Sequence, residues 1–133
     1  MPEMKKQIAR WFAALGTAIL FAACSGHVDQ PAQTVIPEPA LAQIDYAERA
    51  APSDATLAAI YERSCKACHA VTGMGAPLTG HADAWTLRSG QRSMSELVAS
   101  VRNGLNAMPA MGYCPDCSDE DFSALIQFMS TEG

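Results

Sequence analysis

With 133 residues and a net charge of −5, the chain has room for one domain, and its acidic balance excludes a nucleic-acid binder, which needs clustered cations to neutralise phosphates. Aromatic residues make up only 7% of a chain that is 49% hydrophobic, so its own side chains offer few large rings to fill a core. Five cysteines in so short a chain point to disulfide, metal or cofactor chemistry.

Lys5, Lys6 and Arg10 precede an apolar run over residues 11–23, too short to stay across a bilayer, so residues 1–23 read as a secretory signal. The stretch LFAAC at 20–24 resembles a bacterial lipobox, with Phe21 where an aliphatic residue is usual. The resemblance makes Cys24 the lipid-modified first residue of the mature chain; a chance cysteine beside an ordinary cleavage site is the simpler alternative. Acylating Cys24 leaves the other four cysteines as two C-x-x-C pairs, with no odd thiol in an oxidising compartment. Two or more acyl chains hold a protein on a membrane surface without a transmembrane helix. Ser25 resembles the outer-membrane sorting pattern of enterobacterial lipoproteins. Losing residues 1–23 removes Lys5, Lys6, Arg10 and Glu3, leaving six basic against thirteen acidic groups, a net charge of −7.

From 24 to 52 the chain carries Pro31, Pro37, Pro39, many Ala and Gln and few large apolar groups. It reads as a lipid anchor and flexible tether with an end-to-end distance of about 30 Å, in which ALAQIDYAERA forms at most a transient helix. The folded domain is expected over 53–133 as an all-α unit of about four short helices. Ser53 caps the first, with Leu57, Ile60 and Tyr61 on one face, running to Ser64. HADAWTLRS at 81–89 gives a second. Ser93 and Glu96 have capping-box spacing ahead of Leu97, Val98 and Val101, and Gly104 stops that helix. Ser118 caps the last, with acids in its first turn and Phe122, Leu125, Ile126 and Met129 at helical spacing. No segment alternates as a strand does. A core of about 80 residues is small, so a cofactor or disulfide is expected to support it.

The chemistry centres on CKACH, Cys65 to His69. C-x-x-C-H is the attachment signal of c-type haem: two thiols add to the porphyrin vinyl groups and the adjacent histidine ligates the iron. A zinc site from Cys65, Cys68, Cys114 and Cys117 has the right ligand number, but the 45 residues between the pairs far exceed ribbon spacing. One haem c per chain also accounts for the low aromatic content, since the porphyrin itself fills the core. Thioether candidates for the sixth ligand are Met74, Met94, Met108, Met111 and Met129. Met94 and Met129 fall at helical packing positions, and Met74 lies too near His69 in sequence to reach the opposite face.

CKACH followed by GAP at 75–77, AWTLR at 84–88, GLNAMPAMG at 104–112 and CPDCSDEDFSALIQFMS at 114–130 resembles a class I cytochrome c of the cytochrome c-five type. The resemblance covers residues 54–131, not the lipobox or tether, and implies the cytochrome c fold around one covalently attached haem. It aligns Met108 with the axial methionine, with Met111 the competitor, and Pro77 with the proline whose carbonyl accepts the Nδ1 proton of the proximal histidine. Trp85 matches a family position and is expected to need an indole acceptor, a haem propionate being one choice. Arg88 and Arg92 are candidates to neutralise propionates. His27 in the tether and His81 at a helix start are not favoured ligands. For Cys114 and Cys117 a catalytic dithiol competes with a structural disulfide at the turn into the last helix. The disulfide is preferred because a thioredoxin-like site needs a βαβ setting and none is visible.

These readings make the chain an electron-transfer protein and not an enzyme: a mono-haem one-electron carrier, lipid-anchored on the periplasmic side of a cell envelope, with the outer membrane favoured. Its expected partners are other redox proteins, namely a cytochrome oxidase, a reductase or a quinol-oxidising complex. Its acidic surface suits a basic docking face. The rivals are a haem enzyme or gas sensor whose methionine leaves the iron, and a thiol redox protein using Cys114 and Cys117.

Overall fold

Two alanines mark where the folded chain begins: in the computed structural model, which describes residues 36–131, Ala47 is fully buried and Ala50 nearly so. Ala47 lies in the last turn of α1 (Leu41–Arg49) and Ala50 just beyond it; that turn lies beside the CKACH segment, with Glu48, Glu62, Lys66, Ala67, Ala70 and Val71 lining one shallow groove. The final part of the expected tether over 24–52 thus carries a helix where only a transient one was expected. Small side chains explain the difference, because alanines let one helix approach another closely while leaving no large apolar stripe to read. The Gln43 side chain accepts from the Ala40 amide at 2.8 Å and Asp45 pairs with Arg49 one turn on, so α1 has its own local support. The signal over 1–23, Cys24 and His27 lie outside the described residues.

The cap predicted at Ser53 falls one residue later. Asp54 sits in extended backbone and accepts the amide protons of Thr56 and Leu57 on one carboxylate oxygen, both at 2.9 Å. This starts α2 (Ala55–Ile60). Helical backbone does not end at Ser64: it continues through a π turn, Tyr61–Cys65, into α3 (Lys66–His69). The whole attachment motif is therefore helical.

After a loop come α4 (Ala82–Ser89) and α5 (Met94–Asn103), opened by the reciprocal Ser93–Glu96 box and closed by Gly104 at φ 81°. A 3-10 turn at Ala110–Tyr113 leads to α6 (Asp119–Ser130), where Ser118 and Asp121 cap each other's backbone and three acids occupy the first turn. Those charges favour the positive end of the helix dipole. Among the described residues there is no strand; the sole extended pairing is the isolated bridge of Leu105 with Met108.

The apolar faces meet on α6, which α2, α4 and α5 all contact. Ile60, Tyr61, Trp85, Val98, Phe122, Leu125, Ile126 and Met129 form the buried cluster, and the Tyr61 and Phe128 rings meet edge to face at 5.1 Å. Met129 is core and Met94 packs against it, which takes both thioethers out of the ligand question.

Candidate functional site

His69 is held at three points. Its Nδ1–H donates to the Pro77 carbonyl at 2.8 Å, its own carbonyl accepts from the Thr79 amide at 2.7 Å, and the Trp85 ring lies nearly parallel to the imidazole at 5.8 Å between centroids. Committing the proton to Nδ1 leaves the Nε2 lone pair as the metal donor and makes it more basic. Burial lowers the imidazole pKa, the Pro77 bond opposes that fall and the Arg88 charge adds to it, so the ring is neutral, the form that ligates.

Trp85 differs from expectation in its partner. The indole N–H donates to the Leu78 carbonyl at 2.9 Å, because α4 presents the ring to the 77–79 loop. Trp85 thus braces both the ring and the loop of His69. Two residues that no motif marks complete the brace: Thr79 and Tyr61 are both fully buried and share a hydroxyl–hydroxyl hydrogen bond of 3.0 Å.

Cys65 and Cys68 are free and partly buried. Burial, with Cys68 adding to it, pushes the Cys65 thiol up to about 11, the reverse of the depressed value a thiol redox catalyst uses. Two reduced thiols three apart, followed at once by a histidine with its Nε2 free, fit the covalent attachment of haem c. Cys114 and Cys117 are joined as a disulfide with Cα atoms 5.4 Å apart. Asp116 lies within 4.8 Å of their sulfurs, but its carboxylate pairs with Arg63 at 3.0 Å and the sulfurs are bonded to each other, so this cluster has no donor to spare for a cation.

The two methionines differ in surroundings. Met111 packs against the buried cluster from a left-handed backbone position, φ 62°. Met108 is partly buried and is not among the residues packed on that cluster; its backbone exchanges hydrogen bonds with Leu105 at 3.0 and 3.1 Å. Gly104 adds a constraint that its reading as a helix stop did not reveal: a Cβ there would come within 2.9 Å of the Met108 carbonyl and 3.1 Å of the Ala110 amide nitrogen. Its φ of 81° and ψ of 154° are essentially glycine-only. Gly104→Ala is therefore expected to destabilise the fold by ~1–3 kcal/mol in urea unfolding.

Arg88 is half-buried, and burial, then the neighbouring Arg92, lower its basicity. Arg88 donates to the Ala84 carbonyl and Arg92 to the Ser100 hydroxyl, each at 2.9 Å, and neither meets a carboxylate among the described residues. Arg88, whose charge reaches His69 and which has no carboxylate partner among the described residues, fits an anionic group, with Arg92 beside it. His81 is buried at the start of α4.

Residues 52–129 match the family model described as cytochrome c oxidase, cbb3-type, subunit III. Cytochrome c5 of Ectopseudomonas mendocina is 40% identical over 72 residues, 53% of this chain and 83% of that protein. Cytochrome c5 of Azotobacter vinelandii is 39% identical over 72 residues, 53% and 87% of the two chains. A solved mono-haem ferrocytochrome c from Shewanella putrefaciens superposes with a TM-score of 0.51 at 42% identity, covering 63% of this chain and all of that one, 100%. A cytochrome c solved in an electron-transfer complex with nitrite reductase gives 0.50 at 28% identity, over 58% and 93%.

The chain belongs to the class I mono-haem c-type cytochromes. Its relatives there include the cytochromes c5, and like them it is an electron carrier with one covalently bound haem c. The helix α1 precedes the matched span.

Proposed function

We propose that this cytochrome is a lipid-anchored carrier on the periplasmic side of the cell envelope, passing single electrons between respiratory redox proteins. In it Cys65 and Cys68 form the thioether bonds, and His69 and Met108 are the axial ligands. The observation that carries the site assignment is the Nδ1–H bond of His69 to Pro77: it fixes the ring, aims Nε2 away from the loop and sits next to two free thiols. Met108 is preferred over Met111 because the core has already taken up Met111.

Bound haem supplies the one-electron iron couple, and histidine with methionine favours its reduced state. The chain's part is to keep that couple rigid and partly dry. Trp85, Thr79 and Tyr61 hold His69 in one orientation, so little rearrangement accompanies the change of charge, and Arg88 with Arg92 offsets the propionates. The related complex with nitrite reductase and the cbb3-type family description support an oxidase or reductase as partner, and a quinol-oxidising complex is the donor this reading proposes. A net charge of −7 after loss of residues 1–23 suits a basic docking face on that partner.

The anchor rests on the lipobox-like LFAAC, and fractionation tests it. The haem-containing protein should sediment with membranes in the wild type and appear in the soluble periplasmic fraction for Cys24→Ser. A soluble wild type would remove the anchor from the proposal, and density separation of the membranes decides between inner and outer.

A further inference from the structure

The loop carrying Met108 is tied at its far end by a residue outside the ligand set. From Met111 to Tyr113 the backbone takes left-handed φ three times in succession, 62°, 56° and 63°, and only the middle residue is a glycine. Side chains are disfavoured in that region, so such a loop keeps its shape only while both ends are held. One end is held at Leu105 and Met108, whose backbones bond each other. The other end is the Cys114–Cys117 turn.

Arg63 grips that turn. It stands in the π turn, two residues before Cys65, and its Nη2 donates to both Asp116 carboxylate oxygens at 3.0 and 3.2 Å while lying 3.1 Å from Cys114 Sγ. One guanidinium thus joins the helical run of the attachment motif to a turn about fifty residues away: 51 from Arg63 to Cys114 and 53 to Asp116. Arg63 in turn holds the Asp116 carboxyl below its usual range.

We propose that Arg63 is a positioning residue for the sixth ligand: by clamping the Cys114–Cys117 turn onto the attachment helix it sets how firmly Met108 stays on the iron, and through that the reduction potential and the resistance to outside ligands. This rests on Met108 being that ligand. Because the pair is about half exposed, at 49% and 66% for its two side chains, its influence is graded and not all-or-none.

The test uses the holoprotein. Imidazole is titrated into the ferric form of the wild type, Arg63→Ala, Asp116→Ala and the double variant, with potentiometry on each. Arg49→Ala, which removes an exposed cation of α1, and Met108→Ala are included. Arg63→Ala and Asp116→Ala should each raise imidazole affinity about two- to fivefold and lower the midpoint potential. The double variant should do little more than either alone, since both remove one interaction. Arg49→Ala should match the wild type. The proposal is overturned if Arg63→Ala lowers the melting temperature while imidazole affinity and potential stay at wild-type values, or if the two single effects simply add. If Met108→Ala itself binds imidazole no more tightly than the wild type, the ligand assignment fails and the role of Arg63 with it. Failure of the clamp alone leaves Met108→Ala tight and Arg63→Ala unchanged.

Discussion

Met108→Ala is expected to turn a six-coordinate carrier that excludes CO into one that binds it readily at neutral pH, with the midpoint potential lowered by about 100 mV or more. The reduced visible spectrum with and without CO checks the first part, and potentiometry the second. The size follows from losing a direct metal ligand, since the other thioether of the loop, Met111, is taken up by the core. Met111→Ala should act on stability instead. Its side chain packs on the buried cluster from a partly buried position, so truncation should cost roughly 1–2 kcal/mol in denaturant unfolding, with the low-spin spectrum retained. If the two phenotypes are exchanged, the sixth ligand is Met111 and the 3-10 turn carries the iron.

The second large effect is expected from Cys65→Ala with Cys68→Ala. The double variant should carry no haem through a denaturing gel, and should lose most of its helical circular dichroism at temperatures where the wild type is folded. The physical ground is size. The buried cluster of a domain this small is formed by a handful of side chains, and a small core does not sustain a fold by itself. In this fold the covalent ring is core material, so removing its attachment removes packing as well as function. A double variant that folds as well as the wild type would contradict that view. Retention of covalent haem would contradict the assignment of the thiols.

How much of this could be read from sequence depends on how local each interaction is. CKACH is legible because the covalent and ligating groups are contiguous and their spacing is chemically required. The caps at Ser93, Gly104 and Ser118 are legible for the same reason, since each acts within one turn. The cap at Ser53 misses by one residue because Asp54 beside it is an equally good acceptor and only backbone geometry separates them. The segment of α1 reads as a transient helix and its packing stays hidden, because the residues it buries are alanines. Trp85 shows its place but not its partner, as an indole N–H specifies no acceptor. Arg63 and Thr79 leave no signal at all: their partners are 53 and 18 residues distant, and no spacing rule spans such intervals. The choice between Met108 and Met111 rests in sequence on family resemblance alone. The packing of Met111 is what supplies a physical reason.

The π turn sets the phase of the attachment helix. Each residue advances a helix by about 100°, and a π turn holds one residue more than an α turn would. The side chains of Cys65, Cys68 and His69 are therefore rotated by about that angle from where the periodicity of Leu57, Ile60 and Tyr61 would put them. An unbroken α-helix would have forced the core-facing stripe and the cofactor-facing residues to share one angular origin. The inserted residue gives the two faces separate origins on one continuous rod, so packing against α6 and presentation of His69 are adjusted independently.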